Sequence, residues 1–124
     1  MKGIGILFAF VLFLVLDGAF LYINRVFFQH QIIDVQRVAL IPKYLGMVFA
    51  YAILLFGFYY FILRTNRPFW EAALLGGVVN GVYEFTNYSL LKKWRLTTVV
   101  MDTAWGATLW GLTAYITYQF FPKN

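Results

Sequence analysis

The sequence predicts an all-α membrane protein of four transmembrane helices, on three observations. Its 124 residues are 62% hydrophobic and only 12% charged, too little polar surface for a water-soluble domain of this size. The apolar residues gather in four runs, 4 to 23, 44 to 63, 69 to 91 and 99 to 121, each near the ~20 residues that cross a hydrocarbon core. The prolines Pro42, Pro68 and Pro122 all fall at run boundaries and none inside a run, which agrees with uninterrupted helices. Residues 1 to 124 therefore read as a single four-helix transmembrane domain with no room for a soluble one.

The first run follows one basic residue, as the core of a secretory signal would. It is longer than such a core, carries Asp17 and is followed by Phe20-Leu21-Tyr22-Ile23-Asn24 without a small-x-small cleavage pattern, so it is read as a span. The third begins after Asn66-Arg67-Pro68, with Glu71 in its first turn complementing the helix dipole. For the fourth, Thr97 and Thr98 are the expected N-caps. Between the first two spans, residues 26 to 41 sort on a helical wheel: Phe28, Ile32, Val35 and Ala39 on one face, His30, Asp34 and Arg37 on the other. That pattern predicts an interfacial amphipathic helix, in the headgroup region or across the bundle mouth.

Trp70, Trp94, Tyr44 and Tyr118 lie near span ends, where amphipathic rings sit at the membrane interface. Gly77 and Gly81 form a Gly-x-x-x-Gly pair in the third span, and Gly46 with Ala50 is a looser version in the second. Such pairs let helices approach closely. Packing inside the bundle is preferred as their role, with a homo-oligomer left open.

The net charge of +5 does not point to nucleic acid, because the basic residues sit between apolar runs, where they meet lipid phosphates. Membrane lipids are the expected partners. Lys2, Arg64, Arg67 and Lys123 fall on one side; Arg25, Arg37, Lys43, Lys92, Lys93 and Arg95 fall on the other. The positive-inside rule then places both termini outside the cytoplasm. The chain has no cysteine and only His30 as imidazole, which argues against zinc and iron–sulfur sites and leaves hard cations as the metals that carboxylates could take. No cofactor is expected. Gly-rich phosphate loops and serine–histidine–acid sets are absent as well. Asn87-Tyr88-Ser89 matches the glycosylation sequon but ends a span on the expected cytoplasmic side.

Three carboxylates stand inside the spans: Asp17, Glu84 and Asp102. Charged groups there are costly enough to be functional candidates. Because alternate spans run in opposite directions, all three reach a similar depth, roughly 10 Å inside one face. Asn80, Tyr83, Glu84 and Asn87 follow i, i+3, i+4, i+7 spacing along one stripe of the third span. Asp102 shares a face with Trp105, and Asp17 with Asn24. Polar stripes at one depth satisfy each other by facing inward. The expected intramembrane site is thus Asp17, Asn80, Tyr83, Glu84, Asn87, Asp102 and Trp105, bordered by headgroup-facing Lys92, Lys93 and Arg95. The competing reading is structural glue, with Asp102 complementing its own helix dipole and the other acids hydrogen-bonded or meeting snorkelling cations.

At Leu16-Asp17, Tyr83-Glu84-Phe85-Thr86-Asn87 and Asp102-Thr103-Ala104-Trp105-Gly106 the chain resembles a family of small predicted membrane proteins, catalogued as domain of unknown function 2177. The resemblance covers nearly the whole chain. It implies a four-span membrane protein of unestablished activity, and it departs at Glu84, where aspartate is the commoner residue. Three functions stay open: binding or moving a proton, hard cation or cationic group; an enzyme or accessory factor of lipid modification, with an acid as general base; and an interaction protein whose polar cluster fixes helix register.

Overall fold

The computed structural model describes residues 3 to 36 and 43 to 123. They form α1 (Gly3–Ile23), α2 (Arg25–Gln36), α3 (Tyr44–Phe58), α4 (Phe69–Leu90) and α5 (Leu96–Phe120), and α3 runs directly into a π-helical turn, Tyr59–Leu63. No strand occurs among the described residues. Of the expected amphipathic segment, Arg37, Ala39 and Ile41 lie outside the described residues, as does Pro42.

The sharp reversal between α3 and α4 follows from local chemistry. Asn66 takes a left-handed φ of 54°, which asparagine tolerates at helix ends, and Pro68 then occupies the N-cap of α4. The Arg67 N–H donates to the Ile62 carbonyl at 2.9 Å and the Arg64 N–H to that of Tyr59 at 2.8 Å. The Arg64 bond belongs to the π turn, whereas the Arg67 bond, with the Asn66 N–H donating to the Leu63 carbonyl at 3.2 Å, closes the helix end around left-handed Asn66. Glu71 sits in the first turn of α4 and pairs with Arg67 at 3.8 Å, an exposed contact worth little by itself.

The start of α5 differs from expectation. Arg95 is its N-cap, with no side-chain cap, while Thr98 lies fully buried one turn in, its hydroxyl donated to Gln31. The Arg95 backbone N–H is served from α2, by the Gln31 side-chain oxygen at 3.0 Å, and neither threonine caps the helix.

α4 and α5 form the closest helix pair, and α1 lies against α5. Their approach is set by Gly76, where a Cβ would stand 2.3 Å from the Gly106 carbonyl oxygen and 2.5 Å from Trp110 Cγ. Gly106 accommodates the Asn80 side chain, and Gly111 accommodates Ala73. The expected pair, Gly77 and Gly81, also faces α5 but at ordinary distance, since a Cβ would meet Ala107 and Thr103 at 3.5 Å. Gly46 has nothing within 4 Å and Ala50 is exposed, so this looser pair makes no close helix contact among the described residues.

The core is aromatic. Phe13 of α1, Phe58 of α3 and Trp110 of α5 meet in a triangle with ring centroids 5.4 to 5.9 Å apart, in the tilted and edge-on arrangements that ring quadrupoles favour. Ala9, Leu63, Ala72, Leu109 and Ala114 close around it. Phe8 meets Phe120 and Phe121, and Phe20 stacks on Trp105 at 4.5 Å, so α1 runs antiparallel to α5.

Leu7, Val11, Val15, Val48, Phe49, Ile53, Phe56, Val78 and Val82 are all exposed. Such an apolar exterior suits hydrocarbon. Among the described residues, two helices are long and apolar enough to cross a membrane: Gly3–Ile23, with mean hydropathy 2.6, and Tyr44–Leu63, with 2.0. Neither is a buried core helix, because little of either is covered by the rest of the chain. At 22 and 25 residues, α4 and α5 match a bilayer in length at about 33 Å or more, but their amides, hydroxyls and carboxyls keep them below that apolarity.

Candidate functional site: carboxyls between the helices

The acids of α1, α4 and α5 come together at the α2 end of the bundle. Asp17 accepts two hydrogen bonds, from the Trp105 indole N–H at 2.9 Å on Oδ1 and from the Tyr51 hydroxyl on Oδ2. The first ties α1 to α5 and the second ties α1 to α3. Both oxygens of the half-buried Asp17 carboxyl are thus taken by ring-borne donors. Phe20, stacked nearly parallel on Trp105, holds the indole in the plane that aims its N–H at Asp17.

Glu84 is 2% exposed, the only buried carboxyl among the described residues. Its Oε1 accepts the Trp94 indole N–H at 2.9 Å, and its carboxyl lies beside that of Asp102. Asp102 is near enough to Asp17 and Tyr51 to act on them electrostatically. Two hydrogen-bonded groups result, Tyr51 and Trp105 on Asp17 and Trp94 on Glu84, with Asp102 beside Glu84 and within electrostatic range of Asp17. Asn80 supports Asp102 from below, its Nδ2–H donating to the Asp102 backbone carbonyl at 3.0 Å, which couples α4 to α5 beside Gly106.

Not every expected residue joins. Tyr83 is 58% exposed and turned to the outside of α4, one helical step from Glu84. Asn87 is half-buried further along the same face as Glu84. Asn24 uses its side chain on the Phe20 carbonyl one turn back, at 2.9 Å, and not on Asp17. Lys92, Lys93 and Arg95 are exposed. Arg95 is engaged by Asp34 of α2, while Lys92 edges an open depression of about 500 Å³ with Tyr88, Ser89 and Trp94. No group of three or more histidine, aspartate or glutamate side chains is placed to hold a metal ion among the described residues.

Three residues of the site escape the sequence reading. Tyr51 stands mid-helix, where its hydroxyl needed a partner, a usable signal. Trp94, expected as an interfacial anchor, is instead 8% exposed and spends its N–H on Glu84. Gln31 is fully buried and binds the segment around Trp94. It falls at the edge of the apolar wheel face, between Phe28 and Val35, where an amide is out of place.

No curated protein and no solved structure is similar enough to the chain to match it. The family comparison does match, over residues 3 to 119, a stretch that includes Asp17, Glu84, Asp102 and all of their hydrogen-bond partners. The chain therefore belongs to the family described as predicted membrane protein, domain of unknown function 2177.

Proposed function

We propose that this is a four-span membrane protein whose Glu84–Asp102 pair takes up and releases a proton beside Asp17. The observation that carries the reading is the buried Glu84 carboxyl, 2% exposed, beside the half-buried carboxyl of Asp102. An ionised carboxylate only accepts hydrogen bonds, so neighbouring carboxyls bond to each other only by holding a proton between them. Two bare charges at that distance inside a bilayer would repel strongly. A hard cation is less well served, because three clustered ligands are wanting among the described residues. A lipid-modifying reaction would need a substrate to reach Glu84, and Trp94 covers that carboxyl.

In this reading α4 and α5 also span the membrane, their polar residues turned inward, and both termini face away from the cytoplasm. Reporter fusions at the two ends test the orientation, and a cytoplasmic signal from both would reverse it. The proton site is tested by infrared titration of the protein in lipid. A protonated-carboxyl band that appears and disappears with pH is expected in the wild type and is lost in Glu84→Gln and in Asp102→Asn. A band that survives both substitutions would place the proton elsewhere and end the proposal.

A further inference from the structure

We propose that Gln31 is a positioning residue for Glu84, holding the Trp94 indole in place by clasping the backbone on both sides of it. The inference builds on the reading of Glu84 and Asp102 as the proton site. Gln31 is 0% exposed on a helix whose other described residues are half-buried or exposed. Its Nε2–H donates to the Lys93 carbonyl at 2.9 Å, and its Oε1 accepts the Arg95 backbone N–H at 3.0 Å and the Thr98 hydroxyl at 2.6 Å. Lys93 and Arg95 flank Trp94. The amide therefore pairs with the main chain around Trp94 as a peptide unit of an adjoining strand would, N–H to C=O and C=O to N–H.

The connection from Leu91 to Arg95 has little else to fix it. Arg95 lacks a side-chain cap, and within the turn the Trp94 N–H donates to the Leu91 carbonyl at 3.2 Å. The direction of the indole depends on the backbone at 93 to 95, and that backbone depends on Gln31. From there the ring N–H reaches back ten residues to Glu84. Asp34, three residues after Gln31, adds a second tie through Arg95. Exposed on both sides, that pair adds little holding energy of its own, which leaves the buried amide as the principal clasp.

The test is read on the full chain in lipid nanodiscs with ¹⁵N-labelled indoles. The four tryptophans give four N–H resonances, and Trp94→Phe identifies one of them. In Gln31→Leu the Trp94 N–H is expected to exchange with water at least about tenfold faster, the scale of losing a hydrogen bond to a carboxylate. Its resonance should move towards the position seen in Glu84→Leu, while Trp105, bound to Asp17, stays. Gln31→Glu keeps the acceptor and loses the donor to Lys93, so an intermediate effect is expected. It also carries the comparison should Gln31→Leu fail to fold. In a Trp94→Phe background, Gln31→Leu should leave the infrared titration where Trp94→Phe alone puts it. An unchanged Trp94 resonance overturns the proposal, as does equal acceleration at Trp105, which would mark general loosening. The indole readout does not depend on proton uptake, so a missing carboxyl band would sink the site reading and leave the clasp standing.

Discussion

The α4–α5 pair and α3 are joined to the bundle by opposite means. At Gly76 and Gly106 the backbones of α4 and α5 come close enough that a single methyl group would strike a carbonyl or a side chain. Among the described residues no helix packs along α3 as closely as α4 and α5 pack on each other. It reaches the bundle through long side chains, Phe58 into the Phe13–Trp110 triangle and Tyr51 onto Asp17. In lipid, where apolar surface gains nothing by leaving the solvent, close packing and interhelical hydrogen bonds are what hold helices together. The first contact is therefore rigid and intolerant of added volume. The second tolerates volume but depends on individual groups.

Gly76→Ala is the hardest blow to this contrast. Its methyl meets backbone on one side and the Trp110 ring on the other, so α4 and α5 must part, at an expected cost of about 2–3 kcal/mol in reversible unfolding from mixed micelles. Gly77→Ala, one residue on, should cost less than about 0.5 kcal/mol. Equal losses at the two positions would erase the distinction between them.

Tyr51→Phe tests the other region. Removing one hydroxyl from a tie between α3 and α1 should lower stability by about 1 kcal/mol, the range measured for interhelical hydrogen bonds in bilayers, and should shift the Trp105 indole resonance, because Asp17 then has a single strong donor. A silent Trp105 would show that the two donors to Asp17 act independently.

The smallest expected effect is at Gly46→Ala. With nothing within 4 Å, the change should stay within about 0.5 kcal/mol in a monomeric preparation. A larger loss that depends on protein concentration would reveal that the open face of α3 packs on a second copy.

The acids were legible because charge inside an apolar run is conspicuous and because helix geometry converts sequence position into depth. Asp17, Glu84 and Asp102 needed only that arithmetic, and Trp105 followed from sharing a face with Asp102. What the sequence hides is rotation between helices. Tyr83 and Glu84 are neighbours in one polar stripe, yet the approach through Gly76 turns Glu84 inward and Tyr83 out. Gly77 and Gly81 fit the familiar spacing, but Gly76, outside the pair, carries the contact. Trp94 looks like any interfacial ring until α2 is placed, and the buried tie of α2 to this connection is one amide whose partners lie 62 to 67 residues away.

The π turn at Tyr59–Leu63 has a consequence for alignment along α3. It takes up one residue more than an α-helical turn, and each residue of an α-helix is worth about 100° of rotation. The wide turn absorbs that extra residue, so Tyr44–Phe58 keep the phase that a regular helix one residue shorter would give them relative to the Asn66–Pro68 reversal; in an unbroken α-helix the same extra residue would swing them about a quarter-turn. Phe58 and Tyr51 would leave the core and the acid together. The irregular turn is thus a phase setting: it times the aromatic and the phenolic side chains of α3 to arrive on the same side of the bundle.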